Sequence, residues 1–195
     1  TVQETPYVGG YSTVNLNSCS SCHMPHNATG AARLLRGADE QDCISCHNGT
    51  NLQPAILNVF SEFAKISHPF ANANNLHDRA EDTLLNNNRH ATCVDCHNPH
   101  GSQQVTSFTI PPAIRLSQSG AAGVSATDGF TVVNPAINQY ETCLRCHGAS
   151  TGQVTDTTRF GYLPVRLVAA GDPLNLVPQF AATSTSSHPV THDRS

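Results

Sequence analysis

Residues 19–26 read CSSCHMPH: two cysteines three apart, a histidine directly after the second, and another histidine three positions further on. The pentad recurs as CISCH at 43–47, CVDCH at 93–97 and CLRCH at 143–147, and the four copies take up all eight cysteines. With 8 Cys and 11 His in 195 residues, a shuffled chain would hold on the order of 0.02 such pentads, so four are not chance. On a helical turn, residues three and four apart share a face. The spacing therefore predicts that both thiols and the imidazole of each copy point the same way.

Two thiols and an imidazole on one face suit the attachment of a c-type haem, with two thioether bonds to the porphyrin and the imidazole on its iron. A compact zinc site would bring two Cys pairs within about 15–20 residues, whereas these pairs start 24, 50 and 50 residues apart. A thioredoxin-like CxxC needs no following histidine. A disulfide framework gives no reason for four histidines at one offset. The reading is four covalently attached haem c groups, on Cys19 and Cys22, Cys43 and Cys46, Cys93 and Cys96, and Cys143 and Cys146. The proximal iron ligands are then His23, His47, His97 and His147.

Four haems leave roughly fifty residues each, too few for independent side-chain cores, so the porphyrins are expected to form the core. The fold class expected is mostly irregular, with a few short α-helices, little or no β, and haems as the organising body. Aromatics are 6% with no Trp, and charged residues 12% against roughly 25% in ordinary soluble domains. Lys65 is the only lysine and the net charge is −4, which argues against a nucleic-acid partner. No stretch approaches the roughly 18 apolar residues of a membrane span, so no transmembrane segment is expected. Covalent haem attachment takes place outside the cytoplasm, so Thr1 is read as a processed N-terminus and the location as extracellular or cell-surface.

The motifs repeat as a set. CSSCHMPH matches CVDCHNPH, CISCHNG matches CLRCHG, and SHPF at 67–70 matches SHPV at 187–190. This implies a first two-haem module over 1–85 and a second over 86–195, as halves of one haem-bound body. The second is stretched by polar insertions at roughly 101–136 and 148–183, read as loops with a short strand near Phe130–Val133. Pro54 can open a helix reaching Ile66, with Ile56, Phe60 and Phe63 on one face. A shorter helix is expected across His77–Leu85. Each CxxCH should occupy a helical turn, with Gln139–His147 the longest.

The second axial position decides the class of function. Met24, the only methionine, is next to His23 and cannot cross the same haem. Seven histidines remain beyond the proximal four, and the repeat selects His26 and His100, each after proline, and His68 and His188, each in Ser-His-Pro. A neighbouring proline restricts the backbone and lowers the entropy cost of presenting the ring. His90 is the first reserve, followed by His77 and His192. His26 must reach a haem other than that of its own motif. Irons closed by two imidazoles have no substrate position and low potentials. The function expected is electron transfer through closely packed bis-His haems, and not catalysis.

CSSCHMPH, CVDCHNPHG and the paired SHP elements resemble the doubled-CxxCH multihaem c-type cytochromes, and among them outer-surface tetrahaem cytochromes that polymerise into conductive filaments. The resemblance covers the haem motifs over residues 19–190, and not the insertions. It implies a homopolymer with end-to-end haem stacking, and electron exchange with other redox cytochromes or extracellular acceptors. It also implies that His26 completes a haem of the adjoining subunit. A soluble periplasmic tetrahaem shuttle shares every haem argument. A multihaem oxidoreductase would need a five-coordinate haem, often on an altered motif such as CxxCK, and none is present.

Overall fold

The computed structural model of the chain describes residues 18–28, 34–37, 40–49, 58–63, 65, 91–103, 107–149 and 175–180. Contacts divide the chain into two compact units, Thr1–Leu76 with Arg89–Thr92, and His77–Asn88 with Cys93–Ser195.

In the first unit a 3-10 turn over Ser18–Ser21 carries the first motif, and helix α1, Glu40–Ile44, leads into the second. Between them the chain doubles back. Met24 N–H donates to the Leu34 carbonyl at 2.6 Å and Arg36 N–H to the Cys22 carbonyl at 2.9 Å, an antiparallel bridge between His23 and Leu35. Helix α2, Val59–Phe63, follows. It coincides with the middle of the helix expected from Pro54 to Ile66; Pro54, Ile56 and Ile66 lie outside the described residues, and Lys65 is in a turn. The segment His77–Leu85 also lies outside them.

The second unit holds helix α3, Cys93–Cys96, a 3-10 turn over Leu116–Gln118, strands β1, Gly123–Val124, and β2, Val132–Val133, and helices α4, Gln139–His147, and α5, Val177–Phe180. The strands pair antiparallel, Gly123 opposite Val133 and Val124 opposite Val132. This places β2 within the strand expected at Phe130–Val133.

The insertion read as loops is a folded support. Its Ala121 carbonyl accepts Ala136 N–H at 2.7 Å, and its Pro112 carbonyl accepts Gln139 N–H at 2.8 Å. Gly123 lets β1 lie directly on α4, because a Cβ there would meet Glu141 Cβ at 2.8 Å and Ala136 Cβ at 3.0 Å. Small residues that look like linker composition are the condition for this close approach. At the start of helix α4, Glu141 Oε2 accepts the N–H groups of Asn138 at 2.9 Å and Ile137 at 2.7 Å.

Among the described residues the buried apolar side chains are Ala121, Val124, Ala136 and Leu144. Only Leu144 is fully enclosed, at 0% exposure. The architecture is mostly irregular, with short helices and one two-stranded sheet, consistent with a small cytochrome organised by its haems.

Candidate haem-attachment site

Each CxxCH motif is closed into the same turn. The N–H of His23 donates to the Cys19 carbonyl at 2.8 Å, that of His47 to Cys43 at 2.8 Å, and that of His97 to Cys93 at 3.0 Å. The fourth copy, Cys143–His147, is the last turn of α4. This i to i+4 closure puts the two sulfurs and the imidazole on one face and the two intervening residues on the other. Burial follows that division in the fourth motif: Leu144 and Arg145 are buried while Cys143 is exposed. None of the eight cysteines is in a disulfide.

His97 shows how the fold prepares an imidazole. Its Nδ1 lies 2.9 Å from the Ser117 carbonyl oxygen, which can only accept, so Nδ1 carries the proton. The lone pair is thereby left on Nε2, the atom that would be available to a metal, and the hydrogen bond raises its basicity. Ser117 belongs to the insertion, and its carbonyl also accepts from Ser102 Oγ at 2.8 Å. Asn98 adds a second tie, its Nδ2 donating to the Gly120 carbonyl at 2.9 Å. The donor set, two thiols and one tautomer-fixed imidazole on a helical turn, fits a covalently attached haem.

Burial pushes the Cys96 thiol up to about 11, with the Asp95 carboxylate and Cys143 adding to the rise and Arg145 opposing it. Cys143, although exposed at the surface, is raised as well by the protein that displaces water around it, against hydrogen bonds that lower it. In the first unit Asp42, next to Cys43, is raised by burial, opposed by the Gly37 N–H and by the charges of Arg36 and His23.

Three anchoring features escaped the sequence reading. The first is a clasp on the second motif of each pair. The His47 carbonyl accepts Val59 N–H at 3.0 Å, and the His147 carbonyl accepts Leu176 N–H at 2.9 Å. These are end-of-turn carbonyls with no helical partner of their own. The clasping segments read NVFSEF at 58–63 and NLVPQF at 175–180, an Asn, an aliphatic residue, two variable positions, Glu or Gln, and Phe. That match was visible in the sequence, but it begins 11 residues beyond one histidine and 28 beyond the other. Glycines after the histidines permit close approach of backbone at the end of each turn. Gly49 sits at φ +82° with room for no Cβ beside Asn58, and Gly148 abuts the Gly129 carbonyl. Phe180 then stacks on Tyr140 of α4, ring centroids 5.6 Å apart.

The second is Arg145, between the cysteines of the fourth motif. Its Nη1 donates to the Val94 carbonyl at 3.1 Å and to the Asp95 carbonyl, and its Nη2 lies 3.8 Å from Asp95 Oδ1. Val94 and Asp95 are the intervening residues of the third motif. The third is Arg36, whose Nη1 donates to the Ser20 carbonyl at 3.1 Å, Ser20 being the first intervening residue of the first motif.

Of the distal candidates, His26 and His100 are described and exposed, and the His100 N–H donates to Asn98 Oδ1 at 2.9 Å. His68, His188, His77, His90 and His192 lie outside the described residues. Among the described residues no three His, Cys, Asp or Glu side chains gather to hold a metal ion. Ligation by one imidazole on each face of an iron needs no such cluster. No helix of the described residues is long and apolar enough to cross a membrane.

A family model described as the doubled CXXCH motif matches residues 12–52, which span the first two motifs. That motif is a multihaem c-type cytochrome signature and implies covalently bound haem c. No curated protein and no solved structure matches the chain.

Proposed function

We propose that the chain is an electron-transfer protein carrying four haem c groups, one on each CxxCH turn, with a histidine on both faces of every iron. The observation that carries this is the repeated closed turn, together with the His97 tautomer that leaves Nε2 for a metal. A haem held between two imidazoles supplies a reversible one-electron couple at low potential. The residues of the chain present the sulfurs, fix the imidazole protons and hold the turns in place. His26, His68, His100 and His188 are the distal ligands in this reading, with His90, His77 and His192 in reserve. Intact mass should show four haem additions, and ferric paramagnetic resonance only low-spin signals. A high-spin signal at full haem occupancy would instead assign a five-coordinate, catalytic haem.

The finer reading is an extracellular filament. If His100 ligates the haem on His47 within the chain, the repeat assigns to His26 the haem on His147 of an adjoining copy. His26 is exposed and follows Pro25, as an intermolecular ligand requires. Electron micrographs of the purified holo-protein should show polymers, and His26→Ala should abolish them while keeping four covalent haems. Polymers formed by that variant would refute the role of His26. Separate particles from the parent chain would assign a periplasmic shuttle.

A further inference from the structure

The two residues between the cysteines of a CxxCH motif are free to vary as far as attachment is concerned. In the second unit they are where the two motifs grip each other. Arg145 is 5% exposed and Asp95 4%, so the guanidinium reaches across a buried surface to the third motif, 50 residues earlier in the chain. Its targets are the carbonyls of Val94 and Asp95, on a helix only four residues long. Nη1 reaches both carbonyls while Nη2 faces the Asp95 carboxylate, so the planar guanidinium serves backbone and side chain on two separate nitrogens, which a single ammonium cannot do.

The first unit reaches the same end with different residues. Ser20 occupies the place of Val94, and its carbonyl is also taken by an arginine, Arg36. Arg36 comes from the returning segment rather than from the second motif, where Ser45 stands in the place of Arg145. The segment is tied onward to α1, because Gly37 N–H donates to Asp42 Oδ1 at 2.8 Å. Two unrelated sequence positions therefore deliver a guanidinium to one structural position, the carbonyl behind the first attachment turn of each pair.

We propose that these arginines are positioning residues for electron passage: each clamps the two attachment turns of its unit at a set separation and angle, Arg36 in one and Arg145 in the other. The clamp rests on the reading of the motifs as haem attachments. It acts on a quantity to which electron transfer is steeply sensitive, the spacing and mutual orientation of neighbouring porphyrins. It also places a cation beside both turns, which favours the reduced state of either haem.

The test uses the full-length holo-protein. Intact mass comes first: four haem additions are expected for the parent and for Arg145→Gln, Arg36→Gln, Arg145→Lys and Asp95→Asn, since every CxxCH is retained. Absence of haem from the parent would overturn the attachment reading and not the clamp alone. Circular dichroism in the Soret region then reports porphyrin–porphyrin coupling, and redox titration the potentials. Arg145→Gln should lose most of the couplet from one haem pair and lower its potentials. Arg36→Gln should do so for the other pair, and the two losses should add. Arg145→Lys should be intermediate, restoring charge but not the fork. Asp95→Asn, which leaves the carbonyl contacts in place, should keep the couplet and raise the potentials. A parental couplet in fully loaded Arg145→Gln overturns the proposal. Should that variant fail to take up haem, a parental couplet in Arg145→Lys overturns it equally.

Discussion

Replacing Gly148 by alanine tests whether the hairpin of the insertion really braces the fourth attachment turn. Gly148 has φ −80° and ψ −174°, extended backbone that any residue adopts, so the penalty is steric and not conformational. An added Cβ would overlap the Gly129 carbonyl oxygen and meet the Leu144 carbonyl oxygen at 2.6 Å. Both are backbone atoms and cannot rotate away. The turn around Gly129 would have to retreat, and the Ala149 N–H bond to the Gly129 carbonyl, now 2.8 Å, would break. Overpacking costs about 1–3 kcal/mol and the lost bond about 0.5–1.5, giving about 2–4 kcal/mol together. With a guanidinium slope of about 2–6 kcal/mol per molar, the midpoint should fall by about 1 M. The assay is guanidinium unfolding of the holo-protein followed in the Soret band, with exposed Thr127→Ala in the same hairpin as a control. Since Gly148 directly follows His147, the early loss should be confined to one haem's share of the signal. A Gly148→Ala midpoint equal to that of the control would refute the reasoning.

Other outcomes follow from the same packing. Glu141→Ala leaves the N–H groups of Ile137 and Asn138 without their acceptor, and unfolding should become easier by about 1–3 kcal/mol, with Glu141→Gln recovering part. Gly49→Ala combines a left-handed φ of +82° with a contact to Asn58 Cβ at 2.9 Å; thermal melting should show a loss of at least about 1–2 kcal/mol, and Gly49→Asn a smaller one. Asp128, which burial alone would raise, is held below its ordinary 3.8 by hydrogen bonds from Thr131 and Phe130. A lowered carboxyl contributes stability above its unfolded value and loses it as pH falls through the folded one. Hydrogen exchange of the 125–131 turn should therefore stay slow to below the usual carboxylate range, and Thr131→Val should move the onset of fast exchange to higher pH.

The parts of this molecule written in local spacing were legible from the chain. Four CxxCH pentads dictate four helical turns, because the 3.6-residue period alone puts positions one, four and five on a common face. The long final copy at Gln139–His147 and the strand at Val132–Val133 were readable for the same reason: periodicity and β-branched residues are local signals.

What the linear pattern could not carry were contacts between distant segments made through backbone atoms. The Ser117 carbonyl that fixes the His97 proton is a group every residue possesses, so no side-chain identity marks it. The 101–136 insertion looks like linker because it is rich in small residues, yet smallness at Gly123 and Gly129 is what lets backbone lie against backbone. Arg145 and Arg36 sit at unmatched positions in the two repeats, and only folding brings both guanidinium groups to the same carbonyl position. Local spacing alone put two sulfurs and an imidazole on one face of each CxxCH turn. The tertiary structure decided how each attachment turn is braced, because that depends on carbonyl groups and close approaches that have no letter of their own.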